Sequence, residues 1–89
     1  ITNSQRKEKC FKNLSRMTEY LEGISSKFSP RESHVFLFSE TPFPEHYFPS
    51  RAEVREGISG MIAHLKRFPN WRAAFSVNER RTQGSAESG

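Results

Sequence analysis

The chain has 89 residues, with 14 Lys and Arg against 10 acidic residues, and a formal net charge of +4. This length accommodates one small domain, which buries only about 60% of the surface that its unfolded chain exposes. Every acidic residue is Glu, which excludes any mechanism that requires an aspartate from this chain, and the single Cys10 excludes an intrachain disulfide and a cysteine-based zinc site.

Three segments differ in composition. Residues 1–9 are polar and basic, so we expect either a frayed segment or an early helical turn there. Residues 10–81 carry the apolar positions of a single small domain, and residues 82–89 contain no core-forming side chain, which predicts a disordered polar tail. Because the chain begins at Ile1 rather than Met, we expect it to be processed or to be part of a longer protein.

Apolar residues between Lys9 and Ile24 recur at intervals of three and four, which predicts an amphipathic helix. The stripe consists of Cys10, Phe11, Leu14, Met17, Leu21 and Ile24. Pro30 prevents its continuation, because proline lacks an amide N–H and restricts the residue before it. We expect Phe28 to fold back on this helix.

Residues 34–38 form a short apolar run that is rich in β-forming side chains, and this predicts a strand that is buried on both faces. The following segment has three prolines between Pro42 and Pro49, which excludes a regular helix or a central strand. Its three aromatic side chains need apolar partners, so we expect an ordered loop that lies over the core.

A second helix is predicted to begin at Ser50, because Ser50 and Glu53 have the spacing of a capping box. Its apolar stripe consists of Val54, Ile58, Met61, Ile62, Leu65 and Phe68. Gly57 and Gly60 each weaken a helix by about 1 kcal/mol relative to Ala, and they allow another element to approach closely. After Pro69, core-type side chains occupy every second position from Trp71 onward, and this alternation predicts a half-buried strand.

These elements predict an α+β fold with two amphipathic helices packed on a short, incomplete antiparallel sheet. We expect one core to contain Leu14, Met17, Leu21, Val35, Leu37, Ile58, Ile62, Leu65, Trp71 and Phe75. So small a core gives little independent stability. We therefore expect another protein chain, or a second copy of this one, to complete it.

Two motifs stand in this order around the second helix: Arg-Ala-Glu-Val-Arg from Arg51 to Arg55, and Phe-Pro-Asn-Trp-Arg from Phe68 to Arg72. With the first helix and strand, they resemble the front half of SnoaL-like proteins in the nuclear-transport-factor-two-like superfamily. The resemblance covers roughly residues 10–80 and implies a partial cone-like roll. Members that act as cyclases, isomerases or epoxide hydrolases mostly place acid–base side chains, commonly Asp, on later strands. This chain has neither those strands nor any Asp, so their catalytic residues cannot be carried over.

The three histidines, His34, His46 and His64, match no metal-ligand spacing, and the sequence predicts no metal site and no cofactor. If the chain is an enzyme, His34 with Glu40 or Glu45 is the candidate general acid–base set, because imidazole exchanges protons near neutral pH. The alternative is that each histidine is an ordinary exposed or hydrogen-bonded side chain.

Basic and aromatic residues form the candidate binding set. The basic candidates are Lys9, Lys12, Arg16, Arg72, Arg80 and Arg81. Such residues suit phosphate groups, either those of nucleic acid or those of an anionic lipid. The aromatic candidates, Phe43, Tyr47 and Phe48, either cap a thin core, stack on bases or anchor a protein partner. Cys10 is either a core residue or a thiol that Lys9 and Lys12 activate.

Three functions follow as hypotheses. The first is a non-catalytic binding or assembly module of half-cone shape that completes its core with a partner chain. The second is a SnoaL-like small-molecule isomerase or cyclase of which this chain is a part. The third is a basic module that binds nucleic acid. The sequence contains no membrane-spanning run and no secretory h-region, and with its lone thiol it predicts an intracellular, cytoplasmic location.

Overall fold

The computed structural model describes residues 1–79, and it confirms the α+β class. Its elements are α1 (Asn3–Ser25), β1 (His34–Leu37), α2 (Arg51–Gly57), α3 (Ser59–Leu65) and β2 (Trp71–Ala74). The candidate residues Arg80 and Arg81 and the predicted tail at 82–89 lie outside the described residues.

Helix α1 extends further toward the N-terminus than its apolar stripe. Thr2 caps it: the Thr2 hydroxyl accepts a hydrogen bond from the Gln5 amide at 3.1 Å, and the Gln5 side-chain oxygen accepts one from the Thr2 amide at 2.8 Å. This reciprocal pair satisfies two amides that a helix otherwise leaves free. Residues 3–9, for which the sequence allowed either a frayed segment or a helical turn, therefore form the first turns of α1.

The predicted cap at Ser50 is confirmed. Its hydroxyl accepts from the Glu53 amide at 3.1 Å, and the Glu53 carboxylate accepts from the Ser50 amide at 2.9 Å. The prediction of one continuous second helix is wrong, because Ile58 (φ −99°, ψ 5°) separates α2 from α3. Gly57 and Gly60 lie close to this junction, and both weaken a helix. The Ser59 hydroxyl donates a hydrogen bond to the Glu56 carbonyl at 2.9 Å, and such a local side-chain bond competes with the regular hydrogen bonds of a helix.

The sheet is parallel, and the prediction of antiparallel pairing is wrong. His34 lies opposite Trp71 and Leu37 lies opposite Ala74 in the two-stranded sheet. The connection through α2 and α3 is a helical crossover, which returns the chain to the beginning of β1 rather than to its end. The strands therefore run side by side in one direction.

Strand β1 was expected to be buried on both faces, and this is also wrong. The side chains of Val35 and Leu37 are 73% and 75% exposed, whereas His34 and Phe36 are half-buried. The packed rings of Phe36 and Trp71, whose centroids are 5.2 Å apart, lie on the covered face of the sheet. Among residues 1–79, no helix or strand covers the other face, on which Val35 and Leu37 lie.

The core consists of two clusters rather than one. The first is built from Cys10, Leu14, Phe43 and Tyr47, which confirms that the proline-rich loop lies over the core. The second is a group of rings around the buried Trp71, in which Phe68 stacks at 4.1 Å. Phe28, which was expected to fold back on the first helix, lies in this second cluster, 6.2 Å from the Trp71 ring.

The predicted core list needs further correction. Leu14, Leu21 and Trp71 are buried as expected. Ile62 is 41% exposed, and it joins Val35 and Leu37 outside the core.

Candidate docking site

An open groove of about 690 Å³ lies between α1 and β1. Its helical wall comes from Asn13, Arg16, Met17 and Tyr20, and its other wall comes from residues 35–42. Two contacts hold these walls together at the C-terminal end of β1. The Asn13 side chain donates to the Pro42 carbonyl at 2.9 Å, and the rings of Tyr20 and Phe38 meet edge to face at 6.2 Å.

The strand edge of β1 that borders this groove is unpaired. On the side of β2, the His34 amide donates to the Asn70 carbonyl at 3.3 Å and the Phe38 amide donates to the Ala74 carbonyl at 2.9 Å. Successive peptide groups of a strand point to opposite edges, so the amides and carbonyls of Val35 and Leu37 point away from β2. They are free to pair with an additional strand.

The outer face of the sheet is mostly apolar. The cross-strand register places Val35 beside Arg72 and Leu37 beside Ala74. Arg72, a predicted binding residue, is exposed, but its guanidinium donates to the carbonyls of Pro69 at 2.8 Å and Trp71 at 2.9 Å. The charge is thereby held against its own backbone, and the exposed Val35 and Leu37 side chains dominate the face. Such an apolar patch beside a free strand edge is typical of an interaction surface.

The basic candidates on α1 form one row. Lys9, Lys12 and Arg16 are exposed and lie three and four residues apart, so they project from one face of the helix. None of them makes an ion pair with any side chain of residues 1–79, whereas Lys7 lies 3.7 Å from Glu53. Arg16 borders the groove, and Lys12 and Lys9 continue the row toward the N-terminus.

The structure does not bring the candidate acid–base residues together. His34 Nε2 lies 3.8 Å from a Glu32 carboxylate oxygen, and Glu45 lies 3.5 Å from His46. Glu40 lines the groove. Within the described part of the chain, no ion pair or hydrogen bond joins His34 to Glu40 or to Glu45.

Cys10 is placed as a core residue. Burial raises the pKa of its thiol to about 11, and the negative charge of Glu53 adds to this shift. Burial likewise raises the pKa of Tyr47 to about 12, again with a contribution from Glu53. The thiol therefore stays protonated at neutral pH and is a poor nucleophile, in spite of the lysines next to it in the sequence.

The Glu53 carboxylate, which acts on both Cys10 and Tyr47, is itself stabilised in its charged form. The hydrogen bond from the Ser50 amide, together with the nearby Lys7 ammonium, lowers the pKa of Glu53. The negative charge of Glu53 in turn favours the neutral thiol of Cys10 and the neutral phenol of Tyr47. These three side chains therefore form a structural cluster rather than a catalytic one.

The aromatic candidates divide into two kinds. Phe43 and Tyr47 are 3% and 1% exposed, so their rings fill the first core cluster. Asn78 secures their loop, because its side chain donates to the carbonyls of Pro44 at 2.9 Å and Tyr47 at 3.1 Å. Phe48 is half-buried and lines a separate shallow depression near Val54 and Val77.

Sequence reasoning missed the site at Val35 and Leu37, which it assigned to the core. The available signal was the alternation along β1, where His34, Phe36 and Phe38 form one set and Val35 and Leu37 the other. An apolar run that offers two faces to a domain with so few elements leaves one face uncovered.

Within residues 1–79, no three His, Cys or Glu side chains converge as metal ligands. None of the described helices combines the length and the apolar character that crossing a bilayer requires. No protein-family model, curated protein or solved structure matches the chain. The resemblance to SnoaL-like proteins, and the isomerase or cyclase activity that it implies, therefore stay predictions.

Proposed function

We propose that the chain is a non-catalytic binding or assembly module that completes its sheet with a partner chain, either another protein or a second copy. The observation that carries this proposal is the exposure of Val35 and Leu37, at 73% and 75%, on a strand whose outer edge is unpaired. Full burial of one such side chain contributes about 1.5–3 kcal/mol.

A third strand supports this function in two ways. A sheet of only two strands is marginal in water, and an added strand supplies main-chain hydrogen bonds to the free edge of β1. The same strand extends the outer face and covers part of Val35 and Leu37. Backbone pairing then gives affinity, and the side chains on each face give specificity.

Sedimentation velocity on the full chain, together with binding of a strand-forming peptide, tests this proposal. The variant Val35→Lys/Leu37→Lys places two charges on the outer face, and we expect it to lose self-association or peptide binding. Ile62→Lys is the matched control, because Ile62 is 41% exposed on α3, outside the groove lining. A chain that is well folded and monomeric at micromolar concentration and that binds no strand-forming peptide contradicts the proposal.

A second candidate function, binding of nucleic acid, is favoured by the row of Lys9, Lys12 and Arg16 on one helix face without intramolecular ion pairs. Phosphate contacts release counterions, so three such contacts to a single strand predict a slope of about −2 in a log–log plot of affinity against salt. A salt titration with an oligonucleotide measures this slope, and a flat line excludes phosphate contacts.

A further inference from the structure

We infer that the free edge of β1 pairs with the β1 edge of a second copy of this chain, antiparallel and about a two-fold axis at Phe36, which joins the two-stranded sheets of both copies into one. This inference rests on the proposed function and names the partner. Three features carry it: an edge without protection against pairing, a side-chain pattern that is complementary to itself, and charges that balance at both ends of the contact between the strands.

The edge of β1 lacks the devices that keep edge strands of different copies apart. Natural proteins block such pairing with lysines, inward-pointing charges, prolines or bulges on the edge strand. Residues 34–38 contain no Lys, Arg, Glu or Pro. Val35 and Leu37 each direct one amide N–H and one carbonyl away from β2, and a second β1 strand supplies matching acceptors and donors at the same spacing.

Hydrogen bonding restricts the register of this pairing. In an antiparallel pair, residues whose polar groups point toward the partner strand lie opposite each other. Three registers meet this condition: Val35 faces Val35, Leu37 faces Leu37, or each of the two faces the other. The third register alone pairs all of residues 34–38, and it places Phe36 opposite Phe36 of the second copy on the two-fold axis. Both Val35–Leu37 pairs then exchange two main-chain hydrogen bonds.

The side chains of β1 form a pattern that is the same in both directions along the strand. The rings of His34, Phe36 and Phe38 alternate with the aliphatic side chains of Val35 and Leu37. With Phe36 on the axis, every ring faces a ring on the covered side of the sheet, and every aliphatic side chain faces an aliphatic one on the outer side. Such cross-strand pairs stabilise a sheet. Val35 and Leu37, 73% and 75% exposed in the single chain, become part of one apolar strip.

Charges at the two ends of β1 are compatible with a second copy. Arg16 and Glu40 line the groove at the C-terminal end of the strand. Arg31 and Glu32, both exposed, precede its N-terminal end. An antiparallel pairing brings opposite ends together, so each end of the contact combines two cations with two carboxylates. The remaining net charge lies further away, where salt screens it beyond about 8–10 Å.

The extent of the contact predicts a weak, closed dimer. Stable interfaces bury about 1,200–2,000 Å² in total, and a contact between two strands of this length is smaller. We therefore expect a dissociation constant on the order of 100 µM. A two-fold dimer is also the commonest oligomer of soluble chains, because one patch serves both copies.

Sedimentation equilibrium of the full chain, from about 10 to 500 µM, tests for this dimer. The chain is expected to shift from monomer toward dimer over this range. Val35→Lys/Leu37→Lys places like charges opposite each other across the axis, and it should raise the dissociation constant at least about tenfold. Ile62→Lys is the matched control, since Ile62 is 41% exposed on α3, and it should leave the constant within about twofold.

Cysteine variants report the register under mild oxidation. A mixture of the Val35→Cys and Leu37→Cys chains places two thiols on opposed residues, whose Cα atoms are about 5.5 Å apart, within the range of a disulfide. In two copies of one variant the Cα atoms are about 8–9 Å apart, which is too far. We expect the mixed disulfide dimer to form about tenfold faster than the dimer of either variant alone or of Ile62→Cys. Cys10 is buried, which protects its thiol.

The outcomes separate the inference from the proposed function. A chain that stays monomeric but binds a strand-forming peptide, which Val35→Lys/Leu37→Lys weakens, overturns the inference and leaves the proposed function intact, with another protein on the edge. Self-association that survives Val35→Lys/Leu37→Lys overturns the inference, because it uses another surface. Disulfide formation that is no faster in the mixture than in the single variants overturns the pairing about Phe36. A chain that neither associates nor binds the peptide overturns both.

Discussion

The substitution Gly57→Ala probes a close contact between α2 and α1. A Cβ atom on Gly57 would lie 2.7 Å from Leu14 Cδ1 and 3.2 Å from Phe11 Cε1. Ordinary carbon contacts are about 3.5–4.0 Å, so the Leu14 methyl group has to move by roughly 1 Å. Leu14 is fully buried, and any such movement pushes into the first core cluster.

The magnitude follows from two opposing effects. Overpacking of a close-packed core costs about 1–3 kcal/mol, and replacement of Gly by Ala in a helix returns up to about 1 kcal/mol. Alanine adds no backbone strain, since none of the described glycines has a positive φ. We therefore expect Gly57→Ala to lower the free energy of unfolding by up to about 2 kcal/mol.

Two other glycines provide matched controls. Nothing lies within 4 Å of a Cβ at Gly23 on α1, and at Gly60 on α3 the nearest atom is Thr18 Cγ2 at 3.8 Å. Alanine at either position is expected to be neutral or to stabilise by up to about 1 kcal/mol. Urea unfolding followed by circular dichroism measures all three variants. Gly57→Ala with a stability within about 0.5 kcal/mol of both controls refutes the close contact between α1 and α2.

Three further predictions concern the core and its caps. Since the folded pKa values of Cys10 (about 11) and Tyr47 (about 12) exceed their ordinary values of 9.0 and 10.0, the folded state keeps protons that the unfolded chain releases. These two groups should therefore leave the free energy of unfolding unchanged below pH 9 and lower it as the pH rises above 9. Urea titrations at successive pH values measure this dependence, and a stability that stays constant up to pH 11 contradicts it. Ser50→Ala removes the α2 cap and should cost about 1 kcal/mol in the same urea assay, whereas an unchanged midpoint argues against the cap. Asn78→Ala removes the bonds to Pro44 and Tyr47 and should cost about 1–3 kcal/mol while proteolysis within residues 41–49 accelerates; an unchanged cleavage rate contradicts its role.

Local signals in the sequence predicted local structure well. The cap at Ser50 depends on two residues three positions apart, and the structure forms both of its hydrogen bonds. The stripe from Cys10 to Leu21 identified the buried face of α1, because helical periodicity reports burial directly. The prolines likewise predicted an irregular segment whose rings, Phe43 and Tyr47, had to find the core.

The errors concern relations between elements. The stripe from Val54 to Phe68 continues across Ile58, so periodicity alone does not reveal that the backbone breaks there. The direction of β2 depends on where the crossover returns the chain, which no side-chain pattern in Trp71–Ala74 encodes. The open face at Val35 was missed because an apolar run specifies that a strand has apolar sides, not that the chain has enough layers to cover both.

Residue-resolved amide hydrogen exchange on the full chain, free and saturated with a strand-forming peptide, tests the docking edge most directly. The free chain should protect the amides of His34 and Phe38, which pair with β2, and should leave those of Val35 and Leu37 in fast exchange. Bound peptide should slow exchange at Val35 and Leu37. Protection of these two amides in the free monomer, or fast exchange that a bound peptide leaves unchanged, would contradict a third strand on β1.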